Sequence, residues 1–140
     1  FEESFFPICS PAYLAEKGLD RIRSFDDVAI FHLAGTEHAW EDWQIWFELS
    51  GHTKPAKVSG IWMQSFENIL RATVSGKGIA LGWTRLVERE LLQEQLLCPF
   101  VEKFSTGNGY YVVQPERQES ERSASVTLRR WLTEPPRILP

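Results

Sequence analysis

The stretch VSGIWMQSFENILRATVSGKGIALGW, residues 58–83, constrains the fold more than any other part of the chain. A short apolar run leads to a serine. Phe66, Ile69, Leu70, Thr73 and Val74 then fall on one helical stripe, and two glycines precede a second short apolar run. Apolar residues three and four apart bury one face of a helix, whereas a brief apolar run bounded by turn residues reads as a strand. The order is therefore strand, helix, strand, a crossover that is expected to be right-handed. Gly76 is expected in the left-handed position that ends the helix, and Gly78 lets the chain turn back close against the sheet.

The rest of the chain continues the alternation. FFPICSP (Phe5 to Pro11) reads as a strand feeding a helix, with Ser10 as N-cap and Pro11 at the first helical position. The helix PAYLAEKG stops at Gly18, and SFDDV follows as a loop. AIFHLA (Ala29 to Ala34) is an almost wholly apolar strand, which suits a strand covered on both faces. HAWEDWQIWFELSG is helical, with Trp40, Trp43, Trp46 and Phe47 at spacings of three and four and a stop at Gly51. Within VSGIWM, Val58, Gly60 and Trp62 share a face. IALG (Ile79 to Gly82) is a strand. Thr84 caps the helix RLVERELLQEQ, whose Leu86, Val87 and Leu91 face the core. LLCPF is a short strand and NGYYVVQP a longer one. SASVTLRRWL forms a last helix with Ala124, Leu128, Trp131 and Leu132 on its apolar face. Such alternation predicts an α/β fold with a mostly parallel sheet.

Several function classes are disfavoured. The 140 residues make about one domain, and the net charge of −4 comes without the basic stripe of a nucleic-acid-binding surface. No apolar run approaches the roughly 18 residues of a membrane span, so no membrane partner is expected. The start lacks the basic region of a secretory signal and an initiator Met, which leaves a processed product or a fragment of a longer chain. Cys9 and Cys98 read as reduced, buried thiols of a cytoplasmic protein. No metal or cofactor is expected, because no Cys or His pair has ligand spacing. His32, His38 and His52 are scattered, and no serine occupies a nucleophile elbow. The chain does not read as an enzyme.

Binding is better supported. In open α/β sheets, ligands gather beyond the carboxyl ends of strands, where helix N-termini offer unpaired N–H groups. Ser10 after FFPIC, and Ser65 with Gln64 after VSGIWM, stand at two such corners. Both serines can equally act as plain helix caps. His32 is either a hydrogen-bonded core residue or a pocket liner. His38 and His52 fall in loops, with solvated side chains expected. Trp40, Trp43 and Trp46 are core by spacing, with a stacking platform for a sugar or aromatic ligand as the sharper alternative. Trp62 and Trp83 each lie close to a strand's carboxyl end.

FFPICSPAYLAEKGL, AWEDWQIWFELSG, ENILRATVSGKGIALGWTRLVERELLQEQLLCPF, GYYVVQP and the final LRRWL together resemble a LysR-type transcriptional regulator, in the branch of the glycine-cleavage activator and β-lactamase regulators. The resemblance runs from about Phe5 to Leu132. It implies a periplasmic-binding-protein type II-like effector domain with its second lobe complete and its first lobe only partial. Residues 1–6 end the crossover from the first lobe, 7–82 form the second lobe, and 83–140 return to the first. The winged helix-turn-helix is absent from this stretch, so DNA contact is expected only through that missing part. The resemblance further implies a small-molecule effector, anions suiting the helix start, and a homo-oligomer, dimer or tetramer in the full-length protein. Effector contacts carry over to Ser10, His32, Gln64, Ser65, Phe66 and Trp83, with Pro7 and Gly82 at the hinge. Gln95 departs from a frequent family glycine. LLCPF and YYVVQP are expected to leave strand edges in need of partners. A solute-binding protein of a transport system with the same fold is the alternative.

Overall fold

A computed structural model describes residues 2–25, 27–35, 43–53, 60–113 and 123–133. The expectations placed on His38, Trp40 and Val58 lie outside the described residues. The elements are β1 (Glu2–Ile8), α1 (Pro11–Lys17), α2 (Leu19–Ser24), β2 (Ile30–Leu33), α3 (Trp43–Ser50), β3 (Gly60–Met63), α4 (Phe66–Val74), β4 (Ala80–Trp83), α5 (Thr84–Leu92), β5 (Phe104–Gly109) and α6 (Ser123–Thr133). They divide into a compact unit over Glu2–Asn108 and a second unit holding Gly109–Pro140 with Phe1.

The sheet is less uniformly parallel than the alternation predicts. β2 and β3 pair in parallel, and an isolated parallel bridge joins Ile30 to Ile79 just ahead of β4. β4, however, pairs antiparallel with β1, in the order β4-β1-β5. LLCPF is not a strand. Only Leu97 bridges the backbone of Cys9, through N–H to carbonyl bonds of 3.1 and 2.8 Å. The last strand also falls earlier than NGYYVVQP. It is Phe104–Gly109, while residues 110–113 are irregular and exposed. Pro99 explains the first difference, since it has no N–H to give a ladder.

Period-two alternation sorts the strands onto two cores, as a sheet covered on both faces requires. Phe5, Cys9, Ile30, Ile79 and Leu81 join Tyr13, Ile22, Trp43, Trp46 and Phe47 on the α1, α2 and α3 side. Phe6, Ile8, Phe31 and Ala80 join Ile69 and Val87 on the α4 and α5 side. Phe25, in the segment read as a simple loop, is the hub of the first core. It contacts Trp43, Trp46 and Phe47 edge-on and stacks on Phe100 at 5.4 Å, which holds its backbone at φ 57°. A left-handed aromatic residue costs about 1–2 kcal/mol, which burial of a whole phenylalanine offsets. His52 is half-buried rather than solvated. It stacks on Trp46 at 5.2 Å and lies 3.8 Å from the Glu102 carboxylate.

α4 ends as its sequence predicts. Gly76 has φ 72°, its N–H donates to the Thr73 carbonyl, and Lys77 N–H donates to the Ala72 carbonyl, a paired closure of the last turn. A side chain at Gly78 would meet the Ala29 carbonyl and the Phe31 ring, so the return is as close as expected. α5 differs. Thr84 is its first residue, not its cap, and its hydroxyl donates to the Ser4 carbonyl. The cap comes from β1, where the buried Glu3 carboxylate accepts from Arg85 N–H at 3.3 Å. Val87 is buried and Leu91 partly so, but Leu86 is exposed. In α6, Leu128, Trp131 and Leu132 are exposed as well.

Candidate functional site

Parallel pairing brings the carboxyl ends of β2 and β3 level. His32 faces Trp62 and Leu33 faces Met63, and Ala34 N–H donates to the Met63 carbonyl at 2.8 Å. The chain bends at Gln64, which is exposed, and passes through extended Ser65 (φ −137°, ψ 132°) into α4. The Ser65 hydroxyl makes no capping bond. The helix ladder begins with Ile69 N–H donating to the Ser65 carbonyl at 3.2 Å. The N–H groups of Phe66, Glu67 and Asn68 lie ahead of it, in the turn that carries the positive end of the helix dipole. Glu67 adds an opposing charge there, and Arg71 one turn on pairs with it.

Trp83 closes the corner from β4. Its ring meets Phe66 edge-on, centroids 5.2 Å apart. His32, Gln64, Ser65, Phe66 and Trp83 are thus gathered at one end of the sheet. Ser10 is not. It is 3 % exposed, its hydroxyl accepts from Tyr13 N–H at 3.2 Å, and it lies 3.3 Å from where a side chain on Gly76 would begin. Gly76 follows the C-terminus of α4, and nine helical residues span about 13 Å. Ser10 and Ser65 therefore stand at opposite ends of α4. The hinge candidates are near neighbours in one ladder, where Pro7 pairs with Leu81 and Phe6 with Gly82.

Two residues at this end received no contact role from sequence. Trp62 is 67 % exposed yet stacks on His32, centroids 4.6 Å apart and planes 22° from parallel. A Cβ at Gly60 would overlap the His32 imidazole, so only glycine leaves that ring its place. Period-two spacing carried the signal, since Gly60 and Trp62 share a face.

Among the described residues, resolved shifts fall on Cys9, Tyr13 and Cys98. Burial, then the neighbouring Cys98, pushes the Cys9 thiol up to about 12. Burial also raises Cys98, against the Lys103 ammonium, and raises Tyr13, whose hydroxyl accepts from Ala29 N–H. Among the described residues no group of His, Cys, Asp and Glu could hold a metal ion, and no helix is long and apolar enough to cross a membrane. What the corner brings together is backbone N–H groups, a hydroxyl and aromatic rings.

The LysR substrate binding domain model matches residues 1–134. The chain is 32% identical over 132 residues to the HTH-type transcriptional regulator PerR of Escherichia coli, covering 93% of this chain and 42% of that protein. It thus spans less than half the length of that curated relative. The effector domain of the transcriptional regulator AmpR of Pseudomonas aeruginosa superposes with a TM-score of 0.62 at 24% identity, over 94% of this chain and 61% of that one. Full-length LysG from Corynebacterium glutamicum, solved with bound effector Arg, gives a TM-score of 0.59 at 14% identity, over 74% of this chain and 35% of that one. The fold is the periplasmic-binding-protein type II-like fold of such effector domains. These relatives are regulators, not enzymes. With 134 of its residues matched by one family model, the chain belongs to the LysR substrate-binding-domain family.

Proposed function

We propose that the chain is the sensing part of a LysR-type transcriptional regulator, and that the corner at Gln64, Ser65 and Phe66 takes a small effector with an anionic end. The observation that carries this is the Ser65 hydroxyl. It stands at the start of α4 without capping it, beside N–H groups ahead of the helix ladder. A carboxylate fits such a site, because unpaired N–H groups and the dipole both favour negative charge. That LysG, of the same fold, holds Arg, an amino acid with a carboxylate, supports the reading. Phe66, Trp83 and His32 line the corner. Ser10 acts as structural support, being buried and engaged with Tyr13.

Residues 7–82 form the second lobe in this reading, and 83–140 return to the first. Pro7 and Gly82, on the paired strands β1 and β4, carry the hinge. An effector that binds one arrangement of the lobes better than another shifts the balance between them. A homo-oligomer bound to DNA through a segment outside this stretch reads that shift in the cytoplasm.

Calorimetric titration of acetate, glycine and L-arginine tests the site. Ser65→Ala should weaken each carboxylate about fivefold, the worth of one hydrogen bond. Affinities untouched by Ser65→Ala would remove the anion corner from the account.

A further inference from the structure

β1 stays in register with its partner beyond the end of β4. In the ladder Ile8 pairs with Ala80, Pro7 with Leu81, Phe6 with Gly82 and Phe5 with Trp83. β4 ends there, and α5 begins at Thr84. A helical backbone directs its bonds along its own chain, from one turn to the next, so it cannot extend a ladder. The next two steps of the register are bonded all the same, through side chains. The Thr84 hydroxyl donates to the Ser4 carbonyl at 3.1 Å, and Arg85 N–H donates to the buried Glu3 carboxylate at 3.3 Å.

Trp83 stands between the backbone ladder and this stitched part. Its register partner Phe5 is buried and rests on Phe104, ring centroids 6.1 Å apart. One position back, a side chain on Gly82 would meet Ile8 and Val87, so β4 lies hard against β1 and α5. The backbone of Trp83 is thus held from both directions along the chain, while its ring meets Phe66 where α4 starts.

We infer that Glu3 and Thr84 are positioning residues of the effector corner. Their bonds lock the register between β1 and the start of α5, and the lock sets where the Trp83 ring stands against Phe66. The inference rests on the corner proposed above as the effector site and adds what holds one of its walls. An effector larger than the Ser65 anchor meets a wall already in place, so less ordering is left to binding. The same bonds join that wall to the beginning of β1, 82 positions earlier in the chain.

The test follows the Trp83 indole N–H of the 140-residue chain by nitrogen-15 NMR, assigned through Trp83→Phe. Thr84→Val keeps the side-chain shape and loses the donor, and Glu3→Ala loses the acceptor. Both should shift the Trp83 resonance and weaken its ring-to-ring Overhauser contact with Phe66; Thr84→Val carries the test if Glu3→Ala does not fold. Thr84→Ser and Glu3→Gln keep a donor and an acceptor and should stay near native. Ser10→Ala, which loses a buried cap at the other end of α4, should lower the urea midpoint and leave Trp83 where it is. In calorimetry, L-arginine should bind Thr84→Val about threefold more weakly than the native chain, on the scale of one disturbed hydrogen bond. Acetate, which reaches only Ser65 and the α4 amides, should bind both equally. If the Trp83 resonance ignores Thr84→Val, or follows Ser10→Ala as well, the lock is refuted while the anion corner stands on its own titration. If Trp83 moves but L-arginine binds Thr84→Val as it binds the native chain, the lock has no part in the site and the inference fails. If neither acetate nor L-arginine binds the native chain, the anion corner falls and the inference with it.

Discussion

His32 and Trp62 are register partners on neighbouring parallel strands, and their rings stack 4.6 Å apart. The contact joins β2 to β3 at the end of the sheet where α4 begins. Residues directly opposite in a ladder have side chains close enough to touch, and two flat rings on one face use that spacing well. Gly60, two positions before Trp62 on the same face, makes the room.

Gly60→Ala should therefore break this stack at a distance. The new methyl group overlaps the imidazole, which must leave its place, and overpacking of this kind costs about 1–3 kcal/mol. Denaturation in urea measures the cost, and the Trp62 indole resonance reports the loss of its backing. An unmoved resonance and an unchanged midpoint together would show that the strands tolerate a side chain here.

The two serines that look alike in sequence should separate in their effect on stability. Ser10→Ala removes a buried cap of Tyr13 N–H and should cost about 1 kcal/mol. Ser65→Ala removes a hydroxyl with no capping bond and should move the urea midpoint by much less. Equal losses would mean that Ser65 caps α4 in solution.

Trp43→Phe tests the seat of α3. The indole N–H donates to the Phe31 carbonyl at 3.0 Å in a buried setting. Phenylalanine keeps the ring but loses the donor and leaves a small void, so a loss of about 1–3 kcal/mol is expected in urea denaturation. A neutral result would show that the α3 face of the sheet holds by packing alone.

Cys9 should be inert in the folded chain. Burial first, and Cys98 second, push its thiol to about 12. At pH 8 its thiolate fraction is then roughly a thousandth of that of a free cysteine, whose pKa is about 8.5. Iodoacetamide should label it only after unfolding, as read by mass spectrometry. Because the folded chain keeps a proton that the unfolded chain releases, this contribution to stability is present below the unfolded pKa and is lost as pH rises towards 12. The midpoint of thermal unfolding should fall across that window in the native chain and fall less in Cys9→Ala.

Much of the stretch from β2 to β4 was legible in the sequence because its signals are local. The helical stripe of α4 and the stop at Gly76 involve residues within a few positions of one another. The apolar runs of β2 and β4 came out as strands covered on both faces, since period two and a lack of polar residues suffice to say so. The corner at Gln64 and Ser65 followed from the same signals. The stacking of Trp62 on His32 did not, because that contact joins residues on two strands far apart in the chain.

The sequence by itself determined α1, α3, α4, α5 and α6 as helices, though not the short α2. It also determined where α4 begins and ends, and to which family the chain is similar. Tertiary structure decided the rest. It ran β1 antiparallel to β4, drew the cap of α5 from Glu3, 82 positions away, and made Phe25 the hub of a core. It also put Ser10 and Ser65 at opposite ends of one helix. The reason is range. A cap or a stripe is set by dihedral angles and neighbours within a turn or two, whereas strand order and remote caps depend on which distant surfaces bury each other best, and no short window of sequence contains both partners.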